Sequence, residues 1–568
     1  MKMKKMLTAI ISVMAILLGF ISISPSTMSF DDSGYNAKNT LEHLQIIADK
    51  PHSVTHYEAH EEVRQYLLKV TKEYVGEENV SERNYLMPSN QNPNQGISYV
   101  ENTIVSEYNM DCKYDIRNVL AKIPGKSEIG ILLVAHYDSR GNIVRYGELA
   151  KSYGAGDDGY GVVTLLELMR YFSLRQNELE NSIYFLFTDA EETTMYGSFL
   201  EAHNQELMNK INFVVNVESR GLNGAVYMFE TSKNNKKVIE LYQNAKEPVS
   251  YSIAPAVYSV MTNYTDFTNF LEVGKAGLNF STLNDINDYH VPSDQYMNVN
   301  TATLQHYGRQ ILPIVYEYAT NARYADMNYF SATQDAVFFN FLPGIFISYS
   351  SVFAIVLAAL CLIAFIVLLI FRYIKKDLHL KKVGTFLLLL LGGLVVSAII
   401  GYFISMIVAR LGGYPWSLVN IRSRYSNLIL IGTIVGIFAL FYSLCKKFVS
   451  EENKEYILIS SMLLHLILNV VVSIILPGAS FLFAIPGLLG LIYCLLKWHI
   501  KVKLAYQITT YVSLFVLLCV FVPLIFSLQY ALSIGGLVAL CVLSYLPYTI
   551  MLPMMQEKEL ITVKQKIE

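Results

Sequence analysis

Hydrophobic and polar positions alternate in two different ways along this chain. From about residue 31 to 335, short apolar runs are broken by polar and charged stretches. From about residue 340 onward the chain is mostly long apolar runs. In the first half, AKNTLEHLQIIADKPHSVTHYEAHEEVRQYLLKVTKEYVG has apolar residues at helical spacing on either side of a proline-containing turn, which predicts two amphipathic helices. IRNVLAKIPG and EIGILLVAHYDS read as strands. The uninterrupted run GILLVA is short, the pattern of a strand covered on both faces. A helix over 159–175 follows, then the strand of NSIYFLFTDAEE, a helix over 196–208, and strands INFVVNVE and GAVYMFE. Helix TDFTNFLEV, strand AGLNFST and a last helix near 300–320 complete the set. Strands alternating with helices predict an α/β fold with a central, mostly parallel sheet flanked by helices.

The second half predicts an all-α multispanning membrane domain. Apolar spans read at about 346–371, 384–409, 426–445, 456–476, 480–497, 504–527 and 530–553, about seven helices. At the other end, Lys2, Lys4 and Lys5 precede the apolar run LTAIISVMAILLGFISI. This segment reads as an uncleaved signal anchor; a cleaved signal peptide is the alternative. The expected domains are thus an anchor over 1–30, an extracytoplasmic domain over 31–335 and a membrane domain over 336–568. RYIKKDLHLKK, Lys446 with Lys447, KWHIKVK and the tail lysines fall on alternate connections, which places them inside and the polar domain outside. LGGYPWSLVNIRSR, predicted outside yet carrying Arg410, Arg422 and Arg424, is the exception. Within the spans, His465 and Asn469 lie one helical turn apart; an intramembrane ionisable residue is a functional candidate, and the plainer reading, favoured here, is a helix–helix hydrogen bond.

Composition adds three points. Hydrophobic residues make up 53% of the 568, as a chain with a large membrane part requires. A net charge of −3 without a long basic block gives no reason to expect nucleic acid. Of the six cysteines only Cys112 lies in the polar half, so that half must stand on its own core without a disulfide.

The candidate chemistry gathers where strands end. GILLVA runs into His136-Tyr137-Asp138, IYFLFT into Asp189-Ala190-Glu191-Glu192, and FVVNV into Glu218. Asp157-Asp158 sits on the loop feeding a helix, and His290 in NDYHVPSD follows the last strand. In parallel sheets, ligands bind beyond the carboxyl ends of the strands. Alone, each piece has a plainer reading: Asp157-Asp158 as a helix cap, Glu191-Glu192 as a solvated face, His290 as a loop residue. Together, two imidazoles and several carboxylates at one edge are the composition of a zinc site without thiolate. Cations would also relieve the repulsion among the carboxylates. One aspartate of the pair bridging two zinc ions, and one glutamate of Glu191-Glu192 binding metal while the other moves a proton, would make a hydrolytic centre.

AHYDS, GAGDDGYG, TDAEETTMYGS, NVESRG and DYHVPSD, in this order, resemble the zinc-dependent exopeptidases that include bacterial leucine aminopeptidases and glutamate carboxypeptidase II. The resemblance implies that His136, Asp157 and Glu218 hold one zinc, and Asp157, Glu192 and His290 the other. It implies Glu191 as general base, Asp138 as the carboxylate orienting His136, and Asp158 at the helix start. Anchor, peptidase domain and multispanning region in that order are similar to the branch of endoplasmic-reticulum metallopeptidase and vacuolar membrane protease. The implied activity is a membrane-anchored, dinuclear zinc aminopeptidase acting on peptides outside the cell, with the bilayer as its other partner. The basic loops and lone polar-half cysteine suit a bacterial plasma membrane. The alternatives are a glutaminyl cyclotransferase and a non-catalytic binding or transport protein on the same scaffold. Two features depart from the family pattern: Tyr160, where a small residue is usual and the pocket edge would be reshaped, and the lead-in MTNYTDF. Glu218 stands where many relatives have Asp.

Overall fold

A computed structural model describes residues 2–26, 34–54, 56–86, 115–141, 143–145, 148–261, 263–284, 286–419 and 421–556; Cys112 lies outside them. The chain divides into two compact units, Ile21–Ser348 on the one hand and Met1–Phe20 with Tyr349–Glu568 on the other.

The first unit is built on a seven-stranded sheet. Its strands are β1 (Val80–Leu86), β2 (Asp115–Ile123), β3 (Ser127–His136), β6 (Asn181–Thr188), β7 (Ile211–Val217), β8 (Asn223–Thr231) and β9 (Ala276–Asn284). A separate small hairpin pairs β4 (Ile143–Arg145) with β5 (Glu148–Ala150). The sheet order is β1-β2-β6-β3-β7-β9-β8. Pairing is parallel through β6, β3, β7 and β9, and antiparallel at both edges, where β1 and β2 on one side and β8 on the other join. The sheet is therefore mixed, parallel only at its centre. Every residue of β6 and β7 is buried, which the apolar run IYFLF of β6 anticipates; β7 buries Asn212 and Asn216 as well.

Two layers of helices account for that burial. Along β3, Ile131, Leu133 and Ala135 enter the larger core with Leu44, Leu67, Leu166, Met169 and Ile311. Those residues come from α2 (Ala37–Ile47), α3 (Tyr57–Val75), α4 (Gly159–Ser173) and α8 (Thr301–Thr320). Leu132 and Val134 face the other way, onto Leu186, Val214, Phe267 and Phe270. Phe267 and Phe270 come from α7 (Asp266–Glu272). The period of two thus divides one strand between two cores. Truncating a fully buried residue such as Leu133 to Ala should cost about 2–5 kcal/mol. The expected helix over 196–208 is instead two short pieces, α6 (Tyr196–Ala202) and Gln205–Met208, preceded by a separate turn of helix, α5 (Glu191–Thr194). Met195, whose φ is 54°, separates α5 from α6, and the expected helix itself breaks before Asn204, whose side chain accepts from Leu207 N.

The second unit is helical and apolar. It contains α9 (Ser351–Ile374), α10 (Leu380–Leu411), α11 (Ser426–Phe448), α12 (Lys454–Ile475), α13 (Phe481–Leu495), α14 (Lys503–Leu532) and α15 (Leu537–Met555), together with most of α1 (Lys2–Ser22). Among the described residues, seven helical segments are long and apolar enough to cross a membrane; the last, Lys503–Met555, holds both α14 and α15, joined by the turn Ser533–Gly536. His465 and Asn469 are buried but bond within their own helix: His465 Nδ1 donates to Ser461 O at 2.9 Å, and Asn469 Oδ1 accepts from Ser473 at 3.4 Å. The interhelical bond expected of this pair is not what these contacts show.

Candidate metal centre

Three neighbouring parallel strands end side by side. His136 closes β3 opposite Thr188, the last residue of β6, and Val134 lies opposite Asn216 of β7. The chain leaving each strand must turn at once, and these turns carry the polar residues. After β6, Ala190 takes φ 60°, a left-handed conformation that costs an L-residue on the order of 1–2 kcal/mol. Directly beyond it comes α5, so Glu191 and Glu192 occupy the first turn of a helix at the strand's end. His290, with φ 59°, is a second such residue, and backbone outliers of this kind gather at functional sites. The loop Gly154–Asp157 leads into α4. Gly154 has φ 65°, and a Cβ there would stand 2.8 Å from Ser139 Cβ, so the turn requires glycine. The Asp157–Asp158 peptide is cis.

All seven predicted residues converge. His136 Nε2 lies 3.3 Å from Asp157 Oδ1, 3.6 Å from Glu218 Oε2 and 4.0 Å from Glu191 Oε2. His290 Nε2 lies 3.0 Å from Asp157 Oδ2 and 3.1 Å from Glu192 Oε2. Asp157 thus presents one oxygen to each imidazole. Two groups have donor atoms mutually within 4.8 Å: His136, Asp158 and Glu218, and Asp157, Glu192 and His290. The presence of Asp158 in the first group differs from its expected place at the helix start alone. It fills both places, since Oδ1 caps α4 by accepting from Gly161 N at 3.0 Å. The same carboxylate supplies an oxygen to the first group.

The donor set fits divalent cations. His136 Nε2, Asp157 Oδ2, Asp158 Oδ2, Glu192 Oε1 and His290 Nε2 are buried and make no hydrogen bond to any described residue. Buried polar atoms in proteins are normally satisfied, so five orphans in one pocket call for a ligand. The electrostatics agree. Burial pushes the Glu218 carboxyl up to about 7 against the pull of His136. Burial, with Glu218 and Asp157 nearby, drives Asp158 well above the carboxylate range. Burial, with Glu218 and Asp266 nearby, does the same to Glu191. Burial also opposes a charged His136, yet Glu218, Asp138 and Asp157 raise it well above its ordinary value. Five carboxylates here hold their charge together only if cations share the space.

The supporting contacts fix the ligand atoms. His136 Nδ1 donates to the Asp138 carbonyl at 2.9 Å, which leaves Nε2, in the neutral ring, as the lone-pair nitrogen facing the cluster. The Asp138 carboxylate, 3.5 Å from that ring, accepts instead from Glu191 N at 3.0 Å and Glu192 N at 3.3 Å. Its orienting role toward the imidazole is therefore carried by its backbone oxygen.

Three contributors escaped the sequence reading. Asp294, 2% exposed, accepts from Gly156 N at 2.6 Å, Ser152 Oγ at 3.1 Å and Asp157 N at 3.3 Å, and so holds the loop that presents Asp157. Arg140 donates to the Glu192 carbonyl and stands 3.7 Å from Glu192 Oε2. The Tyr289 ring stacks on His290 with centroids 3.6 Å apart. Asp294 had one visible signal, its place in DYHVPSD; nothing in sequence ties Arg140 to Glu192. Tyr160 does not shape the pocket edge. It is fully buried, donating to Leu222 O at 2.9 Å and accepting from Asn300 N at 2.8 Å. MTNYTDF, whatever its lead-in, ends in a capping box of Thr265 with Thr268, and Asp266 accepts from the Thr188 hydroxyl at the end of β6.

Comparison with known proteins agrees with the motifs. Residues 118–315 match Peptidase family M28. The vacuolar membrane protease of Kluyveromyces lactis is 25% identical over 411 residues, 69% of this chain and 43% of that protein. The putative endoplasmic reticulum metallopeptidase 1 of Schizosaccharomyces pombe is 29% identical over 243 residues, 42% of this chain and 28% of that protein. The chain thus spans less than half the length of either relative. Among solved structures, a Zn-dependent exopeptidase of Parabacteroides distasonis is 17% identical, covering 51% of this chain and 99% of that one at a TM-score of 0.38. A glutaminyl cyclase of Tannerella forsythia is 19% identical, with coverages of 50% and 99% and a TM-score of 0.38. All seven converging residues lie within the segment 118–315 that matches Peptidase family M28.

Proposed function

We propose that this chain is a membrane-anchored, dinuclear zinc peptidase that trims peptides from their amino ends. The observation that carries the reading is Asp157, whose two oxygens each face a different imidazole, with Glu218 beside one and Glu192 beside the other. In this reading His136, Asp157 and Glu218 hold one ion, and Asp157, Glu192 and His290 the second. Asp158 stands near the first. Bound there, zinc would polarise a peptide carbonyl and supply a nucleophile from water. Glu191 suits the proton-moving role. Its side chain is 12% exposed against 4% for Glu192, so it is the glutamate a substrate reaches. It accepts the proton of the attacking water as the C–O bond forms, and delivers it to the amide nitrogen as the C–N bond breaks. Asp138 keeps both glutamates in register through their backbone amides. The choice of the amino end rests on the resemblance to leucine aminopeptidases. In this reading the peptidase unit stands outside a bacterial plasma membrane, opposite the basic loops 372–382 and 497–503.

The test is zinc content per purified chain, measured beside hydrolysis of a panel of aminoacyl anilides. Two zinc ions with chelator-sensitive release support the proposal. Turnover of amino-terminal glutamine to pyroglutamate, with one zinc, would replace it by a cyclotransferase. A folded chain that takes up no zinc would end it. Added protease should degrade the peptidase unit in intact cells; its protection would reverse the orientation.

A further inference from the structure

The helical unit contains a cavity of about 930 Å³, near the top of the roughly 300–1,000 Å³ range of small-molecule pockets. Four helices wall it, through Ile16 of α1, Leu430 and Val435 of α11, Phe526 of α14 and Met551 of α15. The wall is not closed protein core: Ile431 and Val435 are 46% and 58% exposed. From Leu430 to Lys446 the cavity follows α11 over sixteen residue steps, roughly 24 Å at 1.5 Å per step.

Its two ends differ. The deep end is apolar. The other end carries Lys446, Glu451 and Lys454, where α11 ends and α12 begins. The Cys445 thiol contacts Gln556 there, so the end of α15 reaches the same level. Lys454 pairs with Glu451 at 2.8 Å, while Lys446 is exposed. Two ammonium groups against one carboxylate leave a net positive mouth. Tyr442, one turn from Lys446 and also lining the cavity, has the amphipathic ring favoured at the level of lipid headgroups.

We propose that this cavity binds one anionic phospholipid, its acyl chains along α1, α11, α14 and α15 and its phosphate at Lys446 and Lys454. The length suits an extended chain, the walls are mostly apolar, and the charge sits at one end alone. A neutral lipid would fill the cavity equally well but would gain nothing from the lysines.

The test is native mass spectrometry of the full chain in detergent, with dioleoyl phosphatidylglycerol or dioleoyl phosphatidylcholine added. One phosphatidylglycerol per chain should bind about fivefold more tightly than phosphatidylcholine, the effect of one net cationic charge at a bilayer surface. Lys446→Gln with Lys454→Gln should bring the two lipids within twofold of each other. Val435→Trp, which fills the cavity from an exposed position, should weaken both lipids at least tenfold with an unchanged melting temperature. Ile431→Trp, one turn away, serves if that variant unfolds. Equal binding of the two lipids to the unaltered chain, or lipid binding indifferent to the tryptophans, overturns the proposal. So does a second copy of the chain, seen as a dimer, in place of lipid.

Discussion

Asp294→Asn probes how far the geometry of Asp157 depends on a residue that faces no other ligand. One Asp294 oxygen accepts from Gly156 N at 2.6 Å; the other accepts from Ser152 Oγ at 3.1 Å and Asp157 N at 3.3 Å. Asparagine keeps the volume, so no cavity opens. It keeps one oxygen, which retains the short bond to Gly156. Its NH₂ then confronts two donors. Ser152 can rotate and accept, but the Asp157 N–H cannot, and a buried donor left unpaired costs about 1–3 kcal/mol. Relief requires the loop to shift, and Asp157 shifts with it. At 1.4 kcal/mol per factor of ten, the cost corresponds to roughly five- to 150-fold in zinc affinity. Losing a contact that supports a metal ligand typically costs ~10–100-fold. The assay is zinc competition against a chromophoric chelator on the full chain in detergent, with the melting temperature followed in parallel. A zinc affinity within threefold of the unaltered chain, at an unchanged melting temperature, would refute the reasoning.

Four further outcomes are expected. Glu191→Gln should keep its zinc and lose roughly 10²–10⁴-fold in hydrolysis, the usual worth of a positioned base; loss of zinc from this variant would make Glu191 a ligand instead. Asp157→Ala should lose both ions, and two zinc ions retained by mass spectrometry would exclude the bridge. Tyr160→Phe removes the hydroxyl between Leu222 O and Asn300 N, and chemical denaturation should show a loss of about 1–3 kcal/mol. Glu230 gives a pH signature: burial raises its carboxyl from 4.5 to about 7, against a hydrogen bond from Asn279. A raised carboxyl means the folded state holds the proton that the unfolded state releases, so stability should fall as pH rises from 4.5 to 7, by at most about 3 kcal/mol. Glu230→Gln should flatten that slope in melting curves, and an identical slope would remove Glu230 as its source.

The parallel centre of the sheet was legible because β3 and β6 are buried on both faces and carry the apolar runs GILLVA and IYFLF. Its edges were not. β1, VSERNYL, has the mixed polarity of an edge strand and offers no periodic signal. The candidate site residues were legible in short local motifs, His136, Glu191, Glu192 and Glu218 at or just beyond strand ends and Asp157 and His290 in loops. Asp294 and Arg140 act across 138 and 52 residues of sequence, and the fold alone creates those contacts. Tyr160 was misjudged for a related reason. A large residue beside a ligand loop suggests a pocket wall, but the direction of its side chain follows from helix α4, which turns it into the core. The left-handed turn at Ala190 had no glycine to announce it.

Asp138 touches two strands at once. Its carbonyl takes the imidazole of His136 on β3, and its carboxylate takes the amides of Glu191 and Glu192 beyond β6. The imidazole and the glutamates are therefore measured from one common datum. Displacing β3 against β6 would stretch these hydrogen bonds, so they resist a change in the spacing between the three groups. The spacing at the centre therefore depends on this one residue keeping both grips.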